Sequence, residues 1–119
     1  MIRLTEISFE TARPVDGYGA GFFRIGGEVL QGHVLVTPQA AQSWGGLDDI
    51  APLLALAGKV DVLLLGTGAT MGRAPAAMAA ALDAVGIGTE AMDSAAAART
   101  YNVLLSEGRR VAAALLTVG

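Results

Sequence analysis

Cysteine is absent from the 119-residue sequence, and histidine occurs once, at His33. Without cysteine the chain has no disulfide, no thiolate metal ligand and no cysteine nucleophile. One histidine leaves almost no route to a histidine-ligated metal centre or a histidine-dependent catalytic triad. We therefore expect no metal, no cofactor and no enzymatic activity.

Positive charge is also scarce. Eight basic residues face eleven acidic ones, for a formal charge of −3, and the longest basic run is Arg109-Arg110. This predicts no nucleic-acid partner. The longest uncharged stretch is rich in alanine and broken by glycine and proline, which predicts no membrane insertion. Residues 1–6 follow neither the plan of a signal peptide nor that of a transit peptide, so we expect a cytoplasmic protein.

The first part of the sequence, to about Gly46, has the pattern of strands and turns. Ile2 and Leu4 alternate with polar neighbours. Residues 22–25 and 28–36 read as two strands, and the Gly26-Gly27 pair between them predicts a β-hairpin. Residues 39–44 fit either another strand or an irregular turn.

After Gly46 the apolar spacing changes to that of helices alternating with strands. A first helix begins near Ile50, with Asp48 or Asp49 as its cap, and ends at Gly58. Its predicted buried face holds four residues: Ile50, Leu53, Leu54 and Ala57. Residues 60–65 are a run of valine and leucine typical of a strand covered on both faces of a parallel sheet.

The remaining residues continue this alternation. A second helix starts at Pro75 and ends before Gly86, with Met78, Ala81, Leu82 and Val85 on its buried face. Residues 87–92 are a weaker strand. Ser94 is the expected cap of a third helix, which runs to about Glu107, and residues 111–118 form a last strand. We expect one α/β domain over residues 1–119.

A glycine loop follows the buried strand: Gly66-x-Gly68-x-x-x-Gly72. Taken literally, it imitates a dinucleotide site, in which glycines let a pyrophosphate approach a helix start. The loop is too long for that tight turn, and the chain lacks the second nucleotide-binding half. The alternative is a loop that needs glycine only for its backbone conformation.

A candidate anion site combines this loop with the third helix. Gly66, Thr67 and Gly68 would lie beside Ser94 if strands 60–65 and 87–92 are parallel neighbours. Arg99 could add a guanidinium to the free N–H groups of the helix start. In the alternative interpretation Arg99 is solvated, or pairs with an aspartate.

Four further residues are candidates. Tyr101 falls on the apolar helix face and is expected in the core, with its hydroxyl satisfied at the rim. Asn102 has poor helix propensity, so we expect it to have a specific partner, either a backbone group or a ligand. Tyr18 and Trp44 lie beside glycines in turn-rich segments, where they would be either anchors for a partner or half-buried packing residues.

The segment from Thr100-Tyr101-Asn102 to Arg110 and Leu115 is the most specific part of a resemblance that covers nearly the whole chain. With Gly66-Thr67-Gly68 and Met92-Asp93-Ser94, it resembles a small domain-of-unknown-function family that includes mitochondrial complex I assembly factor 3 and an adipogenesis-associated protein. The family usually has threonine at position 94, and many bacterial members have cysteine at position 98. Here those positions hold Ser94 and Ala98, so this chain cannot carry out any thiol chemistry of those bacterial members.

The resemblance implies a three-layer α/β domain with a central mixed sheet of about five strands, one of them antiparallel, plus a β-hairpin. It also implies a non-catalytic module that binds protein partners during assembly. The alternative is a protein that binds a small anion or a nucleotide-like ligand, or an enzyme, using residues 66–72 and the helix start at Ser94. A homodimer is a further possibility that the sequence leaves open.

Overall fold

The computed structural model describes residues 12–119 and the backbone of Ile7–Ser8. These described residues contain twelve elements, which are, in chain order, β1 (Ile7–Ser8), β2 (Val15–Gly19), β3 (Phe22–Ile25), β4 (Glu28–Gln31), β5 (Val34–Val36), β6 (Ala40–Ser43), α1 (Ala51–Leu54), β7 (Val62–Gly66), α2 (Ala76–Ala84), β8 (Gly88–Met92), α3 (Ser94–Ser106) and β9 (Val111–Leu115). The expected strand containing Ile2 and Leu4 lies outside the described residues.

The strands form two sheets. The larger has the order β1-β6-β5-β9-β7-β8, and the smaller is antiparallel with the order β2-β3-β4. In the larger sheet β7 is parallel to both β8 and β9, whereas β5 is antiparallel to β9 and to β6. Among the five longer strands β5 alone is reversed, which confirms the expected mixed sheet; the two-residue β1 adds a sixth strand.

The helices lie on both faces of the larger sheet, in three layers. The chain moves from β7 to β8 through α2, then returns past β7 to β9 through α3. Two crossovers of the same hand that move in opposite directions lie on opposite faces of a sheet. Accordingly, α1 and α2 cover one face, and α3 covers the other together with the smaller sheet.

The two-residue period of β9 shows how one strand supplies both cores. Ala112 and Ala114 pack towards α1 and α2, in a core with Leu53, Leu63 and Leu82. The residues between them, Val111, Ala113 and Leu115, pack towards α3 and the smaller sheet with Phe23, Ile25 and Tyr101. All five β9 side chains are buried, as predicted for a strand covered on both faces.

The predicted hairpin is confirmed, but the strand predicted over residues 28–36 is two strands. β3 and β4 pair around Gly26 and Gly27, both with positive φ. Gly32 then adopts a φ of +84°, a conformation that only glycine takes easily. The chain turns there, so β4 belongs to the smaller sheet and β5 to the larger one. Residues 40–43 are a strand, which resolves the alternative left open by the sequence.

The helix boundaries correct the sequence predictions at two caps. Ile50, rather than an aspartate, precedes α1, and the Asp49 carboxylate accepts instead from the Gly45 N–H at 3.0 Å. The α-helix ends at Leu54, so it is shorter than expected. At α3 the cap is Asp93, one residue earlier than predicted, and Ser94 is the first helical residue.

The second helix is confirmed by its buried residues, Met78 and Leu82, although Val85 at its end is exposed. In the part of the chain that the structure describes, the helices are all too short or too polar to cross a membrane.

Candidate functional site

The glycine loop and the start of α3 do lie together, because β7 and β8 are parallel neighbours. The Gly68 N–H donates to Ser94 Oγ at 2.9 Å, and Ser94 Oγ donates to the Leu116 carbonyl at 2.6 Å. Ser94 N donates in turn to the Gly68 carbonyl at 2.8 Å. The hydroxyl and the loop N–H expected to hold an anion are therefore bonded to groups of the protein.

Gly66 marks the closeness of this contact. A Cβ at this position would lie 2.7 Å from Ser94 Oγ, 2.8 Å from Leu115 Cδ2 and 2.9 Å from Ser94 Cα. These distances are shorter than real Cβ atoms accept, and one of the atoms is backbone. Glycine is thus required at position 66 for the close approach of strand and helix.

The helix start already carries a negative charge. Asp93 Oδ1 accepts from the Ala96 N–H at 2.8 Å, which caps α3. A carboxylate at a helix start satisfies the free N–H groups and the positive end of the helix dipole. An anion at this point would meet the carboxylate of Asp93, so the geometry favours a structural role for the helix start.

Thr67 completes the closed loop. Its Oγ1 accepts from the Gly72 N–H at 2.8 Å and lies 2.7 Å from the Thr70 carbonyl and 3.1 Å from that of Met92. Gly68 has a φ of +93°. The loop is thus held by its own hydrogen bonds, which fits the alternative in which glycine is needed for backbone conformation.

Arg99 does not join this cluster in the way the sequence suggested. It is five residues beyond Ser94, so the two residues lie about 140° apart around the helix axis. Ser94 is buried against the glycine loop, whereas Arg99 is exposed. An ion pair of Arg99 with Asp93 or Asp61 is also absent from the described residues, where Asp61 pairs with Arg110.

Tyr101 is completely buried, as expected, between α3 and the smaller sheet. Its hydroxyl, however, has no hydrogen-bond partner among the described residues, so the expectation of a satisfied hydroxyl at the rim is not met. Burial raises the pKa of the phenol above its ordinary value. The neutral form of Tyr101 is therefore strongly preferred in the folded protein.

Asn102 has the specific partner that its composition suggested, and the partner is backbone. Its Oδ1 accepts from the Val15 N–H at 2.8 Å, and its Nδ2 donates to the Val15 carbonyl at 2.9 Å. The two bonds attach the first strand of the smaller sheet to α3. Of the two alternatives left open by the sequence, the structure therefore shows the backbone partner.

Trp44 is not a surface anchor. Only 4% of its surface is exposed, and its indole Nε1 donates to the Asp49 carbonyl at 2.8 Å. His33 lies against it with the ring centroids 6.5 Å apart. The His33 Nδ1 accepts from the Thr117 N–H at 3.0 Å, so both rings have structural contacts. Trp44 is therefore a core residue of the α1 and α2 side.

Tyr18, by contrast, is 45% exposed at the edge of the smaller sheet. Together with Phe22 and Arg24 it lines a groove of about 230 Å³. Val29, also 47% exposed, pairs directly with Arg24 in the sheet. We call Tyr18, Phe22, Arg24 and Val29 the outer sheet patch; the exposed Asp16 lines the same groove.

A second groove was missed by the sequence analysis. It has a volume of about 200 Å³, and three basic residues, Lys59, Arg109 and Arg110, line it. The Arg109-Arg110 pair is visible in the sequence, but the contribution of Lys59 depends on the fold. We call this site the basic groove.

Metal ligands do not cluster in the described part of the chain, where no three histidine, aspartate or glutamate side chains come close enough to hold an ion.

The comparison with known families identifies the chain. The family described as a protein of unknown function, DUF498/DUF598, matches residues 15–116. The chain belongs to the DUF498/DUF598 family. The match extends from the first residue of β2 to one residue past β9. It therefore contains all three helices and every strand except β1.

Individual members of this DUF498/DUF598 family give the same result. An uncharacterized protein of Rhodobacter capsulatus is 55% identical over 111 residues, which are 93% of this chain and 90% of that protein. The NADH dehydrogenase [ubiquinone] 1 alpha subcomplex assembly factor 3 of Danio rerio is 33% identical over 106 residues. That match covers 83% of this chain but 61% of the factor, so the vertebrate protein is considerably longer.

A solved structure confirms the fold. The crystal structure of a Bartonella henselae protein described as an outer membrane protein is similar with a TM-score of 0.84 and 34% identity. The match covers 93% of this chain and 99% of the other. The family match and the assembly-factor match confirm the family resemblance stated from the sequence, including the relation to complex I assembly factors.

Proposed function

We propose that this protein is a non-catalytic module that binds other proteins during the assembly of a larger complex. The observation that carries the proposal is the similarity, over 83% of the chain, to a protein named as an assembly factor of NADH dehydrogenase. The geometry supports it, because the hydroxyl and N–H groups of the candidate anion site are bonded within the protein.

The outer sheet patch is the surface proposed for this binding. Tyrosine and arginine are enriched among the residues that contribute most to protein–protein affinity, and here Tyr18 and Arg24 share a groove. Phe22 lies beside them, and Val29 extends the apolar area on the neighbouring strand. An aromatic and apolar patch with one cation, Arg24, and one neighbouring carboxylate, Asp16, can bury apolar surface and orient a partner by charged hydrogen bonds.

The test is affinity capture from the native cell with cross-linking, comparing three forms of the protein. The patch variant carries Tyr18→Ala and Arg24→Ala. The control carries Met71→Ala, because Met71 is the most exposed large apolar residue in the described part of the chain, at 74%, and lies in the glycine loop, outside the patch. We expect one partner protein to be captured by the wild type and the control, and lost with the patch variant.

Two results would count against the proposal. If the wild type enriches no protein above an untagged background, the binding function fails. If the patch variant captures the same protein as the control, the surface is wrong. Melting curves of all three forms verify that each is folded, which is expected because the substituted side chains are exposed.

A further inference from the structure

We infer that the basic groove is a second interaction site, which takes an acidic segment of a partner protein through salt bridges around one apolar side chain. The inference rests on the proposed protein-binding function and adds the chemistry of one partner.

Three loops build the groove at the end of the larger sheet where β7 and β9 begin. Lys59 precedes β7, and Arg109 and Arg110 precede β9, the strand beside β7. The Asp61 N–H donates to the Arg110 carbonyl at 2.9 Å, which holds the two loops together. The third loop, at residues 37–39, follows the reversed strand β5 and therefore comes back to the same end.

The charge of the groove is opposite to that of the chain. Three of the eight basic residues of a chain with a formal charge of −3 line this one groove, and the lining residues that the structure describes include no acidic one. Asp61 offsets part of this charge through its 3.3 Å contact with Arg110. Lys59 and Arg109 are exposed, so they are positioned to meet a charge from outside.

Arg110 is held in place more firmly than an ordinary surface arginine. Its Nη2 also donates to the Gly58 carbonyl at 2.9 Å, in addition to the Asp61 contact. The Arg110 side chain thus binds residues on both sides of Lys59 in the neighbouring loop. These two contacts attach the Arg110 guanidinium to the loop that carries Lys59.

The other lining residues define the partner further. Pro38, Leu105 and Ala12 supply apolar surface to the groove, and Gln39 supplies an amide. A ligand that fits this lining has carboxylates on either side of an apolar side chain. Arginine and lysine at the end of a helix also compensate the helix carbonyls. That role accounts for Arg109 after α3, whereas Lys59 lies five residues past the end of α1.

The experiment measures direct binding of a synthetic peptide, so it does not require the native partner. The probe is a short fluorescein-labelled peptide of glutamates on both sides of one leucine, followed by anisotropy at low ionic strength. The same peptide with lysines in place of glutamates is the sequence control. The groove variant carries Lys59→Glu and Arg109→Glu, and Arg110 is retained because it bonds to the protein.

The matched variant carries Arg73→Glu and Arg99→Glu, which change the net charge by the same amount at two exposed positions outside the groove. We expect the wild type to bind the glutamate peptide and not the lysine peptide. The groove variant should lose about tenfold or more in affinity, and the matched variant less than about threefold. Added salt should weaken the binding.

Three results would overturn the inference: no binding by the wild type, undiminished binding by the groove variant, or equal losses in both variants. Should the charge reversals impair folding, Lys59→Gln with Arg109→Gln gives the same comparison. Peptide binding without any captured cellular partner would leave the groove standing and refute the proposed function, so the two failures are distinguishable.

Discussion

Tyr101 combines complete burial with a hydroxyl that lacks a hydrogen-bond partner among the described residues. A buried hydroxyl without a partner costs about 1–3 kcal/mol of stability. Tyr101→Phe keeps the ring and removes the cost, so we expect the free energy of unfolding to rise by about 1 kcal/mol. Chemical denaturation measures it. A loss of stability instead would reveal a partner for the hydroxyl, such as a buried water.

The same residue sets a pH dependence. Burial raises the pKa of Tyr101 in the folded state, so between the ordinary pKa of about 10 and the raised value only the unfolded chain gives up the phenol proton. Deprotonation of the unfolded chain then favours unfolding. The free energy of unfolding is therefore unaffected by Tyr101 ionisation below about pH 10 and falls as the pH rises above it. Wild-type stability should fall above about pH 10 more steeply than that of Tyr101→Phe. Parallel curves for the two proteins would contradict the assignment.

Gly66 provides a second test at this scale. Because a Cβ there would lie within 3 Å of Ser94 and Leu115, we expect Gly66→Ala to destabilise the protein by about 1–3 kcal/mol. Gly17→Ala is the control, since a Cβ at Gly17 has no neighbour within 4 Å and that residue lacks a positive φ. Thermal unfolding of both variants decides it. Equal effects would mean that the contact of loop and helix is not tight.

Among the elements, α3 is a helix that contacts both sheets. Asn102 makes both of its side-chain hydrogen bonds to Val15, the first residue of β2. We expect Asn102→Ala to lower stability by about 2 kcal/mol, at about 1 kcal/mol for each lost bond. Amide hydrogen exchange should quicken more in β2, β3 and β4 than in α2.

Ser106→Ala is the matched control for this prediction, because Ser106 Oγ bonds only within α3, to the Val103 carbonyl. It should leave exchange in the smaller sheet unchanged. If Asn102→Ala quickens exchange equally in every element, then the smaller sheet is not attached mainly through Asn102.

The element boundaries show what local sequence could predict. Apolar spacing located α2 and α3 within a few residues, and an unbroken run of valine and leucine located β7, because these are local patterns of burial. The turn at Gly32 was not predicted, because a lone glycine in a strand pattern does not show whether the chain forms a bulge or leaves the sheet. Asp93 and Ser94 are both good caps, and the choice between them depends on the Ser94 contact with Gly68, which only the fold creates.

Sheet order depends on the whole molecule. Nothing in the sequence of β5 distinguishes a reversed strand from a parallel one. The family resemblance implied that one strand is antiparallel, but it did not say which strand. The site residues divide in the same way. Tyr101 was placed by its helix face, whereas the burial of Trp44 and the meeting of Lys59 with Arg109 and Arg110 follow from loops brought together across the sheet.

The two cores share one sheet, so we expect them to unfold together. Trp44, the single tryptophan, reports on the core beside α1 and α2, while Phe23 is completely buried in the core beside α3. Phe23→Ala should cost about 3–5 kcal/mol. Because β7 and β9 contribute side chains to both cores, the denaturation midpoint measured by Trp44 fluorescence should fall by as much as the midpoint measured by circular dichroism.

Val103→Ala is the control for that experiment, since Val103 is 56% exposed and its loss should change stability by less than about 0.5 kcal/mol. If the Trp44 midpoint stayed at its wild-type value while the circular dichroism midpoint fell, the smaller sheet and α3 would form a separate cooperative unit. The outer sheet patch, which belongs to the smaller sheet, could then rearrange on binding without loss of the parallel strands. Coincident midpoints would instead mean that the patch is held by the stability of the whole molecule.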